Sequence, residues 1–203
     1  SATKPPAQEA PASSATLIAE AQRQFAARQY DKAEENYLRV LRQDNRNVGT
    51  LANLAVIQME LNRLDEAEKH ARQAITVAPN DAYSHSVLGQ LKLRQEKYSE
   101  AVDALSHAAQ LNAKSAEVQN FLGIALSHQG LRVPAETALR KAIQLEPGYG
   151  SAHNNLAVIY LNQTPPMVAL ARWHYQKALA AGHPKNPELE KALEAKQAPA
   201  SAP

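Results

Sequence analysis

The sequence predicts an all-α solenoid in which paired helices repeat along the chain. Three observations carry that expectation. An alanine recurs at one fixed interval, a leucine followed by a small residue recurs at the same interval further toward the N-terminus of each unit, and turn-forming residues fall at the joins.

The recurring alanines are Ala33, Ala67, Ala101 and Ala135, a 34-residue period. Each opens a stripe at steps of four and three: Ala33 with Tyr37 and Val40, Ala67 with Ala71 and Ala74, Ala101 with Leu105 and Ala108, Ala135 with Leu139 and Ala142. Residues at those steps share one helix face. The leucine pairs keep the same period: Leu54-Ala55, Leu88-Gly89, Leu122-Gly123 and Leu156-Ala157. Each unit therefore holds two helices, and the small residues mark where they cross closely. Asp44-Asn45, Pro79-Asn80-Asp81, Asn112 and Pro147-Gly148 mark the joins, since proline lacks an amide donor and ends helices. Helices are expected near 15–27, 31–43, 48–61, 65–77, 82–95, 99–111, 116–129, 133–145, 150–162 and 166–181.

The fifth unit departs from this spacing. Its stripe is Ala171, Tyr175 and Ala178, so the step from Ala135 to Ala171 is longer by two than the steps before it. The two extra residues fall within Asn162-Gln163-Thr164-Pro165-Pro166, where Thr164 is expected to cap the next helix with Pro165 at its first position. A short last helix should follow Asn186 and Pro187, with Leu189 and Leu193 on one face, covering the apolar side of the last repeat. The expected organisation is a disordered Ala/Pro/Ser-rich tail over 1–13 and five units over 14–47, 48–81, 82–115, 116–149 and 150–184. A capping helix over 185–197 and a second disordered tail over 198–203 complete it.

Composition excludes several classes of function. Of the 203 residues 44% are hydrophobic and 21% charged, and the net charge is +2 with both signs interspersed. That is no footprint for nucleic acid. There is no cysteine, hence no disulfide, thiolate metal site or cysteine nucleophile. No apolar run approaches the roughly 18 residues of a membrane-spanning helix. The seven histidines form no HxxH, HxxxH or HExxH pattern, and neither a GxSxG elbow nor a GxxxxGK[ST] phosphate loop is present. The expectation is a chain that is not an enzyme and takes no cofactor or metal. The Ala/Pro/Ser/Gln-rich start, together with a first residue other than Met, leans the expected location toward a bacterial periplasm or cell envelope over the cytoplasm.

These spacings resemble the tetratricopeptide repeat family, whose pattern places a leucine and a small residue in the first helix and an alanine ladder in the second. The resemblance covers most of the chain and is least marked in the first unit, which has Glu20-Ala21 at the leucine pair. It implies a right-handed superhelix of antiparallel helix pairs and a role in protein–protein interaction. First helices would then line a concave groove. The residues expected there are Asn53, Val56 and Met59, then Val87, Gln90 and Arg94, then Asn120, Phe121 and Ile124, and finally Asn154, Asn155 and Val158. Amides beside apolar side chains suit a bound peptide: the amides can pair with its backbone, and the apolar atoms supply the contact area.

One subclass of the family grips a partner's C-terminal carboxylate. Asn53 and Asn155 resemble its asparagines, but Val87 and Phe121 stand at the matching places and no basic cluster accompanies them. The leading expectation is a scaffold that binds a protein segment in the groove. The alternative is an assembly module that self-associates, as a homo-oligomer, through its convex face or its N-terminal end.

Overall fold

The structure, a computed structural model, describes residues 12–196. Among them it contains eleven α-helices and no strand. The tails expected at the two ends lie largely outside the described residues, although Ser13 already serves as the cap of the first helix.

The first compact unit spans Ser1–Pro79. It holds α1 (Ser14–Ala26), α2 (Tyr30–Gln43), α3 (Val48–Glu60) and α4 (Leu64–Val77). Helix α1 packs on α2 and α3 on α4, and α2 joins the pairs by packing on α3. Ala21, Ala33, Tyr37, Leu54 and Ile57 form the core between them.

The second unit spans Asn80–Pro203. It holds α5 (Ala82–Arg94), α6 (Tyr98–Leu111), α7 (Ala116–His128), α8 (Arg132–Leu145), α9 (Gly150–Asn162), α10 (Val168–Ala180) and α11 (Pro187–Ala195). The pairs are α5 with α6, α7 with α8 and α9 with α10. Helices α6 and α8 pack on the first helix of the following pair, and α11 rests on α9 and α10.

Local chemistry sets the helix ends. Ser13, Asn47, Asp81 and Ser115 keep the repeat interval, and each side chain accepts a hydrogen bond from the backbone N–H three positions on. Each cap thus satisfies an N–H that the helix itself leaves unpaired. Within a pair the turn is made by one residue in the left-handed region: Arg28, Asn62, Glu96 and Gly130, again at that interval, with φ of 57°, 58°, 58° and 76°. At the crossings Gly89 and Gly123 face Leu105 and Leu139. A Cβ built on either glycine would fall 2.4 Å and 2.5 Å from the leucine Cγ. The leucine fills the space that the missing side chain leaves.

The fifth pair corrects one expectation. Thr164 does not cap α10 and Pro165 is not its first residue; the helix starts at Val168, with Met167 before it and no side-chain cap. A residue that precedes proline is pushed out of the helical region, and Thr164 and Pro165 both precede one. The connection instead crosses back, and the Met167 N–H donates to the Tyr160 carbonyl at 2.9 Å. Helix α11 is capped by the Asn186 side chain, with Pro187 in the first turn. It buries Leu189 and Leu193 in the same core as Leu156, Ile159, Leu161 and Tyr175. Polar contacts hold it as well: the Tyr175 phenol donates to Glu190 at 2.9 Å and accepts from the Asn186 N–H at 2.9 Å, and Lys196 Nζ donates to the Leu161 carbonyl at 2.8 Å.

Candidate protein-binding surface

A first helix in this arrangement is covered on several sides. Helix α7 packs on α6 and α8 and also touches α5 and α9. Two strips of its circumference stay open, and the one that faces α9 is the candidate surface. In the first unit α3 presents Asn53 and Val56, both half-buried. The Tyr37 phenol is pushed up by burial, and a hydrogen bond with the Asn53 side chain opposes that shift, so Asn53 is tied to the second helix of the preceding pair.

The second unit carries more of the surface. Gln90, Phe121, Ile124, Asn155 and Val158 are half-buried and Arg94 is exposed. Ile124, Ser127, His128, Asn155, Val158 and Asn162 line a cavity of about 270 Å³ between α7 and α9, with Gly123 and Leu139 at its floor. A second cavity of about 210 Å³ runs between α9 and α11, walled by Val158, Leu161, Asn162, Asn186, Glu188, Leu189 and Ala192. Val158 and Asn162 belong to the lining of both, so the two cavities adjoin at α9.

Four expected groove residues lie elsewhere. Met59 is 2% exposed, Val87 0%, Asn120 3% and Asn154 8%. They sit on the parts of their helices that neighbouring helices cover, and periodicity alone does not separate that side from the open strip beside it. Asn120 keeps an indirect role: its carboxamide oxygen accepts from Asn155 Nδ2 at 3.0 Å, linking α7 to α9 beneath the trough.

Sequence reasoning missed the far wall of the trough, built by α11. The Leu189 and Leu193 spacing signalled a helix there but not which groove it would border. It also missed how His128 is held: its ring stacks on Tyr98, with centroids 4.5 Å apart and planes 4° from parallel.

Polar networks fill the other side of the helix pairs. In the first unit Gln58 donates to Glu34 at 3.1 Å and meets His70 Nδ1 at 2.8 Å, while Arg63 pairs with Glu34. Burial lowers the His70 imidazole. In the second unit the Tyr160 hydroxyl donates to Glu136 at 2.8 Å and accepts from Arg140 at 2.9 Å. Beside them the buried rings of His153 and His174 touch. Among the described residues no group of three or more His, Asp or Glu side chains is placed to hold a metal ion, and no helix is long and apolar enough to cross a membrane.

The fold and this surface define a helix-pair repeat protein of the kind that mediates protein–protein interaction. Two tetratricopeptide repeat family models match residues 24–91 and 87–131, together more than half of the chain. The chain belongs to the tetratricopeptide repeat family. It is similar to the human protein O-mannosyl-transferase TMTC3, with 28% identity over 149 residues; the match takes in 68% of this chain but only 16% of that protein. Among solved structures it resembles PilF of Pseudomonas aeruginosa at a TM-score of 0.77 and 19% identity, over 90% of this chain and 85% of the other. It also resembles YrrB, described as a tetratricopeptide repeat protein with an unusual peptide-binding site, at a TM-score of 0.65 and 19% identity, over 91% and 92% of the two chains.

Proposed function

We propose that the chain is a non-catalytic adaptor whose second unit holds a protein segment in the trough across α7, α9 and α11. The observation that carries this reading is the shared wall: Val158 and Asn162 border both cavities, so one segment can lie continuously from Ile124 to Glu188. Ile124 and Val158 offer apolar contact, while Asn155, Asn162 and Asn186 offer amides that can donate to and accept from a peptide backbone. The peptide-binding site described for YrrB, a protein of the same fold, supports the reading.

The test starts from peptides selected on the folded chain from a random display library. Val158→Lys and Asn162→Ala should weaken the selected peptides, and Lys32→Ala, exposed on α2 of the first unit, should leave them unchanged. Undiminished affinity in both trough variants would place binding elsewhere.

A further inference from the structure

The repeats allow a site to be compared with its own copies. From the fourth unit to the fifth the first helix advances by the usual interval, and the second helix by two positions more. That takes Gln119 to His153, Leu126 to Tyr160, Thr137 to Trp173, Ala138 to His174 and Lys141 to Lys177. In the fifth unit His153, Tyr160 and His174 are buried between α8, α9 and α10, and Trp173 and Lys177 lie exposed at the rim. The rings of Tyr160 and His174 lie 5.4 Å apart and those of Trp173 and His174 4.7 Å apart, and Lys177 Nζ sits 5.4 Å from the Trp173 centroid. In the fourth unit the same space is an open trough of about 520 Å³ between α6, α7 and α8.

The difference lies in the side chains. The Leu126 position carries the half-buried Gln24 in the first unit, and Gln58, Lys92 and Tyr160 in the second, third and fifth. The last three are buried, and Gln58 and Lys92 are engaged by His70 and, at 2.8 Å, by Glu100. Leu126 is shorter than these and remains half-open, as does Leu122 beside it, while Val133 at the rim is 63% exposed. Apolar atoms face water where the fifth unit places the Trp173 and His174 rings. Lys141 occupies the position from which Lys177 meets an indole.

We propose that this trough, on the side of α7 away from the peptide trough, takes an aromatic side chain from a partner protein segment. The lining is complementary to that occupant in three ways. The apolar floor of Leu122, Leu126 and Ala138 matches a ring's face. Lys141 supplies a cation to the ring's negative quadrupole. Gln119 and Gln110 offer acceptors for an indole N–H or a phenol O–H. The cavity is a trough open along its length, which admits a ring attached to a chain. The site stands independently of the one proposed above, because the two share no side chain.

The experiment uses the full chain, labelled with ¹⁵N, and two probes: the capped pentapeptides Ala-Ala-Trp-Ala-Ala and Ala-Ala-Leu-Ala-Ala. The tryptophan peptide should shift the amides of Gln110, Gln119, Leu126 and Ala138 and saturate at lower concentration than the leucine peptide. Lys141→Ala should weaken the tryptophan peptide about two- to five-fold, as loss of a cation–π contact does. Leu126→Tyr combined with Ala138→His refills the trough as the fifth unit does and should abolish the shifts. Thr137→Trp, at an exposed position, should do the same without disturbing the core. Equal response to both peptides, shifts confined to α9 and α11, or undiminished binding by folded Thr137→Trp would overturn the proposal. So would a concentration-dependent dimer in the absence of peptide that Thr137→Trp dissociates, since the occupant would then be a second copy.

Discussion

The Nδ1 atoms of His153 and His174 lie 2.9 Å apart, so one ring donates to the other. The direction follows from the neighbours. His153 Nε2 is 3.1 Å from the Pro147 carbonyl, which can only accept, so that nitrogen carries the proton. With its proton on Nε2, His153 accepts at Nδ1, and His174 donates from Nδ1. Tyr160 and Trp173 cover the pair, and Arg140 and Glu136 are the charged groups near it.

This pair predicts a pH dependence. Burial, and then His153, hold His174 down to about 4 from its ordinary 6.5. The unfolded chain therefore binds more protons than the folded chain between those values, and stability falls as pH falls through that window. Between pH 7 and pH 5 the loss from this group should reach about 2 kcal/mol at most. Denaturant melts at the two pH values check it: His174→Phe should show a smaller difference than the parent chain. Some difference should remain in the variant, because burial also lowers His70.

Gly123→Ala should destabilise the chain by about 1–3 kcal/mol, the usual cost of overpacking. The added Cβ would meet Leu139 Cγ at 2.5 Å and Cδ2 at 2.8 Å, and the Ala135 carbonyl lies at 3.2 Å. Adding Leu139→Ala should remove the clash, so the double variant should lose less than the two single losses added together. Thermal melts of the three variants decide this.

Glu96 holds a left-handed conformation, φ 58°, that the fourth unit gives to Gly130. A Cβ is strained there by about 1 kcal/mol or more, and glycine relieves the strain while adding freedom to the unfolded chain. Glu96→Gly should therefore raise stability by up to about 1 kcal/mol in urea melts. Gly130→Glu should lower it.

Asn155→Ala should weaken folding as well as any binding. It removes the donor to the buried Asn120 oxygen, and an orphaned buried acceptor costs about 1–3 kcal/mol. Asn162 is exposed on the same helix, so Asn162→Ala should leave the urea midpoint near that of the parent chain. Measuring both midpoints separates a structural asparagine from one available to a ligand.

The groove was legible in part, and particular residues show where legibility stopped. Ile124, Val158 and Asn155 were expected on the open strip and line the trough. Val87 and Asn154, expected there with them, are buried. A first helix is covered by its own partner, by the preceding second helix and by the adjacent first helices, and a helical period does not say where that cover ends. Leu122 shows the converse. It repeats in register with the fully buried Leu54 and Leu156 and the half-buried Leu88, and it lines an open trough beside Ala138 and Leu126.

The sequence by itself determined the helix pairs. The repeat interval is set by local chemistry repeated in register: a capping side chain, a leucine with a small residue, a left-handed turn residue and an alanine stripe. The leucine pairs and the alanine stripe recur at one interval on one helix face, so both can be read from the chain alone. Only the tertiary structure decided which side chains remain available. That depends on the volumes of residues that are distant in sequence and meet across helices. Gly123 against Leu139 closes one crossing, Tyr160 with His174 fills one trough, and Leu126 with Ala138 leaves its copy open.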